Sequence, residues 1–204
     1  MPTPERTSLD AIIDAGRDLL EADGVDGLTM QAVADRVGVR APSLYKRVRN
    51  RDELIARIAE ATLRELSARL DDAADPTRGA DPGAELARLA RAVRTFAHER
   101  PAGYRLIFGP GAELRLSDAA LADASGAVLR IAGELAGDEH RLDAARTITA
   151  WVNGFVNMEL AGAFRLGGDV DRAFEYGIAR LTVALTVPRS AAPGPPLAIS
   201  VNDH

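Results

Sequence analysis

The sequence contains no cysteine, which excludes disulfide bonds, thiolate catalysis and cysteine-based redox sensing. Long apolar runs are also missing, because the uncharged stretch TITAWVNGFVNM, residues 147–158, is too short to span a membrane and carries two asparagines. The first residues, MPTPERTSLD, lack the apolar core of a signal peptide. We therefore expect a cytoplasmic protein that does not bind membranes.

Motifs of common enzyme classes are missing as well. The glycines of GPGAEL, residues 109–114, do not complete a dinucleotide-binding fingerprint and follow no predicted strand. The histidines His98, His140 and His204 are scattered, and none has the spacing to a second histidine that a metal site needs. We therefore predict that the protein is not an enzyme and uses no cofactor or metal.

Negative charge exceeds positive charge over the whole chain, with 30 Asp plus Glu, 25 Lys plus Arg and a net charge of -5. The segment RVGVRAPSLYKRVRNRDEL, residues 36–54, departs from this balance. Between Arg36 and Arg51 it holds six cationic residues and no acidic one. Because an acidic protein does not adhere to nucleic acid over its whole surface, any contact with phosphate must be local.

Helical periodicity dominates the sequence and strand signals are weak, so we predict an all-α protein. We expect a helix-turn-helix domain over residues 1–53, a larger helical domain over 54–188 and a disordered tail over 189–204. A loop is predicted at 71–83, and later helices at about 117–136, 139–165 and 169–187. The predicted N-caps of the first, second and fourth helices are Ser8, Thr29 and Asn50.

The cationic segment coincides with two short predicted helices joined by a turn at Gly38. On the second of these, residues 41–47, Ala41 and Leu44 share a face with Val48 that can pack on the preceding helix. The opposite face carries Arg40, Pro42, Ser43, Lys46 and Arg47. In a helix-turn-helix unit this second helix enters the major groove of DNA. A cationic cluster alone is more often a solvated surface, but its coincidence with this helical pattern favours DNA binding.

The segment LTMQAVADRVGVRAPSLYKRVRNRDEL, residues 28–54, resembles the N-terminal domain of TetR-family transcriptional regulators. The matching positions are Thr29, Ala34, Gly38, Val39, Leu44, Tyr45, Asp52, Glu53 and Leu54. The chain departs from the family pattern in having Val48 for Phe, Arg49 for Pro and Arg51 for Lys. The resemblance implies phosphate contacts for Thr29, Tyr45, Lys46 and Arg51, and base-facing positions for Arg40, Pro42 and Ser43. Arg49 is expected to add a phosphate contact.

The resemblance also implies a C-terminal domain that dimerises and binds a small molecule, and residues 151–181 are similar to one subgroup of the family. The last two predicted helices are apolar on more than one face, with Val152, Phe155 and Ile178 among the apolar residues. A helix of this kind must bury its second apolar face. We expect a homodimer in which this helix pair meets its copy, with a monomeric core as the alternative.

The effector cavity is expected between the middle helices. Aromatic and Met residues at helical spacing more often form core than a ligand site. Asn153, Asn157 and Glu159 lie in the charge-poor part of a helix, and a buried polar group there needs a polar partner. A ligand or a neighbouring helix could supply those partners. The candidate ligand-binding residues are Phe96, Tyr104, Phe108, Trp151, Phe155, Asn157, Met158 and Glu159.

These features predict a one-component, ligand-responsive transcriptional regulator, a repressor, that binds a palindromic double-stranded DNA operator as a homodimer. One alternative is a helical module that binds small molecules or proteins without sequence-specific DNA binding. An activator also stays open, because the sign of regulation depends on the position of the operator.

Overall fold

The computed structural model describes residues 8–74, 81–109 and 116–186. Over these ranges the chain forms α-helices and no strand, which confirms the predicted all-α class. The helices are α1 (Leu9–Gly27), α2 (Met30–Val37), α3 (Ala41–Leu44), α4 (Arg51–Ala73), α5 (Pro82–Glu99), α6 (Pro101–Phe108), α7 (Asp118–Ala124), α8 (Gly126–Ala136), α9 (Arg141–Leu160) and α10 (Val170–Leu185).

Helices α1, α2 and α4 begin at capping side chains. Ser8, Thr29 and Asn50 each accept a hydrogen bond from the backbone N–H three residues later, at 3.1, 3.1 and 2.8 Å. These bonds satisfy donors that a helix start otherwise leaves without a partner. The three predicted N-caps are confirmed.

Helix α4 connects this unit to the rest of the molecule. Near its start Leu54 and Ile58 are fully buried beside α1, and further along Leu66 and Leu70 are buried beside α5. With 23 residues, α4 is about 35 Å long at the usual rise per residue. The predicted boundary between residues 53 and 54 therefore falls in the first turn of a continuous helix, and the division into domains stays a prediction.

Helices α5 to α10 pack around a second part of the core. Helix α9 runs along α8, and α10 packs against α5, α8 and α9. Leu86 of α5, Ile131 of α8, Val156 of α9 and Phe174 of α10 are fully or almost fully buried there. Over the described residues no helix is both long enough and apolar enough to cross a membrane.

Several predicted bounds differ from the structure. The helix expected at 117–136 is interrupted at Ser125, whose hydroxyl donates to Leu121 O at 2.7 Å and whose N–H donates to Ala122 O at 3.2 Å. Helix α9 ends at Leu160 rather than near residue 165, because Gly162 adopts a left-handed φ of 63° and closes the helix. Residues 71–73 and 82–83 of the predicted loop are helical, and the predicted tail lies outside the described residues.

Candidate nucleic-acid interface and ligand cavity

The turn between α2 and α3 fixes the angle between the two helices. Gly38 has a left-handed φ of 79°, a conformation that glycine adopts without steric cost. Beyond the turn, Leu44 and Val48 are buried in the same apolar core as Val33 of α2. The packing face predicted for α3 is thus the buried one, and the opposite face must point to solvent.

Helix α3 is shorter than predicted. It ends at Leu44, and residues 45–47 continue as a turn in which the Arg47 and Val48 N–H groups both donate to Leu44 O, at 2.8 and 2.9 Å. A turn tightened in this way is common at the end of a helix. Pro42 lies in the first turn of α3, where the missing N–H leaves no bond unmade.

The surface formed by α3 and the turn after it is mostly exposed. Arg40, Pro42, Lys46 and Arg47 are exposed, and Ser43 is half-buried. The Tyr45 side chain is 53% exposed. The structure therefore brings the predicted base-facing and phosphate-facing residues of this segment onto one surface, which we call the reading surface (residues 40, 42, 43, 45, 46 and 47). Their contacts with DNA stay predictions.

Thr29 lies beside this surface at the start of α2. It is exposed, and its Oγ1 accepts the 3.1 Å hydrogen bond from the Ala32 N–H. The hydroxyl proton can still be donated to a phosphate. The uncapped N–H groups of the first turn of α2 are also suited to bind an anion.

Arg49 is held by Glu53 at the start of α4. Its backbone N–H and its Nε both donate to Glu53 Oε2, at 2.8 and 2.9 Å, and Arg57 lies 3.3 Å from Glu53 Oε1. The backbone hydrogen bond from Arg49, followed by the bond from its side chain, lowers the pKa of Glu53 to about 2. The Arg49 side chain is otherwise exposed. To contact a phosphate, its guanidinium would have to leave the Glu53 carboxylate or bind both groups at once.

Arg51, for which a phosphate contact is predicted, binds backbone carbonyl oxygens of the chain itself. The side chain is half-buried, and its Nε and Nη2 donate to the carbonyl oxygens of Leu28 and Val25 at 2.7 and 2.5 Å. These bonds tie the start of α4 to the connection between α1 and α2. The sequence did not reveal this role, because the two acceptor carbonyls are 23 and 26 residues away along the chain.

A cavity of about 480 Å³ lies between α4, α5, α7, α8 and α9. Its size is within the range of pockets that hold small organic ligands. Apolar side chains dominate its wall, among them Leu66, Leu86, Val93, Phe108, Val128 and Ile148. The polar residues of the wall are Ser125, Arg146, Thr149 and Asn153.

Tyr104 lies behind this wall and positions Asn153. The tyrosine is fully buried, and its hydroxyl donates to Asn153 Oδ1 at 2.5 Å. Burial raises the pKa of Tyr104 well above its usual range, so the phenol keeps its proton. The amide of Asn153 is therefore held by a neutral donor from α6.

Of the candidate ligand residues, Phe108 lies in the described wall of the cavity. Tyr104 contacts this wall through its hydrogen bond to Asn153. Phe96 is core, with the Arg69 guanidinium 5.0 Å from its ring centre. Trp151 and Phe155 pack on Phe174 of α10, with ring centres 5.6 and 5.1 Å apart. Neither Asn157, half-buried, nor Met158, exposed, is in the wall.

Glu159 is also outside the cavity, in a network of charged side chains. Both of its oxygens accept from Arg94, at 2.8 and 2.5 Å, and His98 Nε2 lies 3.3 Å away. The bond from Arg94 is the main reason that the pKa of Glu159 is lowered. Because Arg94 also bonds Asp171 at 2.6 Å, the network joins α5, α9 and α10. A neighbouring helix, and not the cavity, supplies the polar partner of Glu159.

Helix α6 connects the cavity with the N-terminal helices. At its start, the carboxylate of Glu21 in α1 accepts from the N–H groups of Ala102 and Gly103, at 3.0 and 2.9 Å. A Cβ on Gly103 would lie 3.0 Å from Glu21 Oε1 and 3.1 Å from Thr62 Cγ2, so the close approach of α6 to α1 and α4 favours glycine. Phe108 at the other end of α6 lines the cavity.

No group of three or more His, Cys, Asp or Glu side chains suited to a metal ion occurs among residues 8–74, 81–109 and 116–186. Several surface carboxylates are partners of arginine, as in the Arg91–Glu175 pair at 2.6 Å. The described residues offer a cationic surface and an apolar cavity, both of which are suited to binding.

Comparison with known proteins shows similarity to bacterial regulatory proteins over both parts of the chain. The family model for bacterial regulatory proteins of the tetR family matches residues 12–58, and the model for the tetracyclin repressor-like C-terminal domain matches residues 86–181. The tetracycline repressor protein class A from transposon 1721 of Escherichia coli is 36% identical over 168 residues, which are 79% of this chain and 73% of the repressor.

Solved structures show the same architecture. The regulatory protein SCO4313 is 30% identical with a TM-score of 0.70, and the match covers 88% of this chain and 98% of that protein. A TetR variant from Acinetobacter baumannii AYE, solved in complex with minocycline, is 25% identical with a TM-score of 0.64 over 87% of this chain and 95% of the variant. The fold described above is therefore one that known regulators share.

Proposed function

The chain belongs to the TetR family of bacterial regulatory proteins, and we propose that it represses transcription by placing the reading surface of each subunit in a major groove of a palindromic operator. It is a ligand-responsive transcriptional regulator that binds operator DNA as a dimer. We further propose that a small molecule in the cavity between α4 and α9 releases the operator.

The observation that carries this proposal is the exposed cationic reading surface of an otherwise acidic chain. We propose that Arg40, Pro42 and Ser43 at the start of α3 face base edges, and that Tyr45, Lys46 and Arg47 in the turn after it contact phosphates. Thr29 and Arg49 would add contacts at the edges of this surface. We assign Arg51 to the support of the start of α4, because two of its donors already bind backbone carbonyls.

The dimer is proposed to form through α9 and α10. Tyr176 and Val183 of α10 are 67% and 64% exposed although they are large and apolar. Exposed positions of α9 include the small residues Ala150 and Gly154, which would allow a second helix to approach closely. A two-fold axis along this face would give the two reading surfaces that a palindromic operator needs.

Release of the operator requires the ligand to favour the arrangement of the dimer that does not fit DNA. A ligand that binds both arrangements equally shifts nothing, however tightly it binds. A hundredfold loss of operator affinity corresponds to about 2.7 kcal/mol of coupling between ligand and DNA. Helix α6 is the proposed connection, because it lines the cavity with Phe108 and is held by Glu21 of α1.

Selection of DNA from a random pool tests the DNA-binding part of the proposal. The purified protein should enrich an inverted repeat, and Tyr45→Ala and Lys46→Ala should weaken the enrichment. Arg141→Ala is the matched control, because it removes an exposed cation from the C-terminal region. A folded, dimeric protein that enriches no sequence would instead be a helical binding module without sequence-specific DNA binding.

A further inference from the structure

The cavity wall offers little to a charged molecule. Over the described residues it contains no carboxylate and no imidazole, and apolar side chains of α4, α5, α8 and α9 form most of it. Burying an ionised group without a partner of opposite charge is strongly unfavourable. A ligand enclosed by these walls must therefore keep its buried part uncharged.

Arg146 is the one cationic residue of the described wall, and it is poorly placed to hold a buried anion. Its side chain is 72% exposed, and its Nη1 lies 3.9 Å from Oδ1 of Asp143, which is also exposed. Leu121 and Leu142, which also line the cavity, are exposed as well. These residues therefore mark the mouth of the cavity, where an anion would stay in contact with water.

Asn153 supplies a hydrogen-bond donor to the cavity. Its Oδ1 accepts the hydrogen bond from the hydroxyl of Tyr104, which is fully buried. Among the described residues, the Tyr104 hydroxyl has no other acceptor. The amide is thereby oriented, since a buried hydroxyl must donate its proton. Nδ2 carries two protons, and among the described residues no protein acceptor binds them, so the amide can donate to a ligand in the cavity that Asn153 lines.

The other polar groups of the wall offer less. The Ser125 hydroxyl already donates its proton to Leu121 O at 2.7 Å, which leaves its oxygen as an acceptor. Thr149 is exposed and therefore lies towards the mouth. Among the described polar residues of the wall, Asn153 is thus the one that is half-buried and still has protons to donate.

From this geometry we infer that the effector is an uncharged, largely apolar molecule that carries a hydrogen-bond acceptor, such as a ketone or lactone oxygen, which binds the Asn153 amide. This inference rests on the proposed function, because it names the ligand class of a regulator whose cavity receives an effector. Tyr104 is a positioning residue in this assignment, since it orients the amide without contacting the ligand itself.

Matched compounds on one carbon skeleton test the inference with the full-length protein in the absence of DNA. Suitable sets are benzophenone, diphenylmethane and diphenylacetate; fluorenone, fluorene and fluorene carboxylate; and menthone, menthane and menthane carboxylate. Binding is measured by calorimetry and by the shift in melting temperature. The ketone of at least one set should bind about tenfold more tightly than its hydrocarbon, the upper range for one neutral hydrogen bond. The carboxylates should bind more weakly than both.

Variants of the amide and of its partner make the test specific. In Asn153→Leu the ketone and the hydrocarbon should bind with about equal affinity, because the hydrogen bond to the ketone is lost and the apolar wall stays. Asn157→Leu is the matched control, since Asn157 is a half-buried asparagine of the same helix outside the cavity wall. The double variant Asn153→Leu with Tyr104→Phe removes both polar partners together and avoids leaving a buried hydroxyl unpaired.

Four results would overturn the inference: preferred binding of the carboxylates, equal binding of ketone and hydrocarbon, a ketone advantage that survives in Asn153→Leu, or no binding by any set. Operator binding is measured separately on the same samples. Ketone-selective binding by a protein that selects no DNA would refute the proposed function and keep the ligand class. Sequence-specific DNA binding together with preferred binding of the carboxylates would refute the ligand class and keep the proposed function.

Discussion

The six cations between Arg36 and Arg51 have different roles in the fold. Arg51 donates to two backbone carbonyls, Arg49 binds the carboxylate of Glu53, and Arg36 lies 3.4 Å from Asp18 of α1. Lys46 and Arg40 are exposed on the reading surface. The charge of this segment therefore divides into cations that hold helices together and cations that can meet phosphate.

This division predicts different salt dependences for two variants. Lys46→Ala should flatten the slope of log K against log salt by about one per half-site, because a phosphate contact is lost. Arg51→Met should leave that slope unchanged and should instead lower the free energy of unfolding by about 1–3 kcal/mol, because two carbonyls lose a charged donor. Fluorescence anisotropy over a salt series and urea unfolding measure the two effects. An unchanged slope in Lys46→Ala would show that Lys46 does not contact a phosphate.

Glu53 predicts a dependence of stability on pH. Its pKa in the folded protein, about 2, lies below the ordinary value of 4.5. The ionised carboxylate therefore stabilises the folded state fully above pH 4.5, and this stabilisation is lost as the pH falls towards 2. The difference in free energy of unfolding between the wild type and Glu53→Gln should be constant at neutral pH and shrink below pH 4.5.

Arg49→Met is the companion variant for this measurement. It removes the side-chain donor but keeps the backbone N–H of residue 49, which contributes most to the low pKa of Glu53. Part of the pH dependence should therefore persist in Arg49→Met. A difference that stays constant down to pH 2 in Glu53→Gln would show that the carboxylate contributes no pH-dependent stability.

Helix α6 shows how a short element joins two parts of the molecule. Glu21 accepts two N–H bonds at its start, and Tyr104 in its middle donates to Asn153 of α9. A carboxylate at a helix N-terminus satisfies donors without intrahelical partners and also interacts favourably with the helix dipole. The position of α6 therefore depends on α1 at one end and on the cavity wall at the other.

Removal of the carboxylate should weaken this connection. Glu21→Ala should lower the free energy of unfolding by about 1–2 kcal/mol, the usual range for a lost N-cap, and should reduce the effect of a bound ligand on operator affinity. Asp14→Ala, an exposed acid of the same helix, is the control. Urea unfolding and operator titration with and without ligand measure both effects. If a ligand weakens operator binding by Glu21→Ala as much as it does for the wild type, the cavity and the DNA-binding helices communicate through another contact.

Local sequence patterns predicted the elements better than the contacts between them. The caps Ser8, Thr29 and Asn50 were predictable because a cap depends on residues three positions apart. The cavity was largely missed, because its wall combines ordinary aliphatic residues from five helices that no single helical pattern distinguishes from core. Phe108 was the one candidate ligand residue that lies in the described wall, and Asn153 was indicated only together with Asn157 and Glu159, which lie outside it.

At the scale of the whole molecule, helix α10 leaves large apolar side chains exposed on one face. Tyr176 and Val183 lie on this face, and the Arg180 guanidinium lies 5.7 Å from the centre of the Tyr176 ring. Exposed apolar patches of this kind commonly mark sites of protein association. We propose that a second copy of the chain covers this face, because a palindromic operator requires two reading surfaces.

A charged substitution on this face should therefore separate the subunits. Val183→Asp should shift the protein from dimer to monomer in sedimentation experiments and weaken binding to a two-half-site operator, because a carboxylate would be buried in an apolar interface. Ala22→Asp, on an exposed position of α1, is the control. A dimer that persists in Val183→Asp would indicate that another face holds the subunits together.

The contact between Glu21 and α6 also has a consequence for how much effector a cell would need. Coupling between two binding sites is reciprocal, so an effector that weakens operator binding is itself bound less tightly by the protein on DNA. Copies of the regulator that are not on an operator would then take up the first effector molecules. This reserve would act as a buffer, and the abundance of the protein would help to set the effector concentration at which transcription begins.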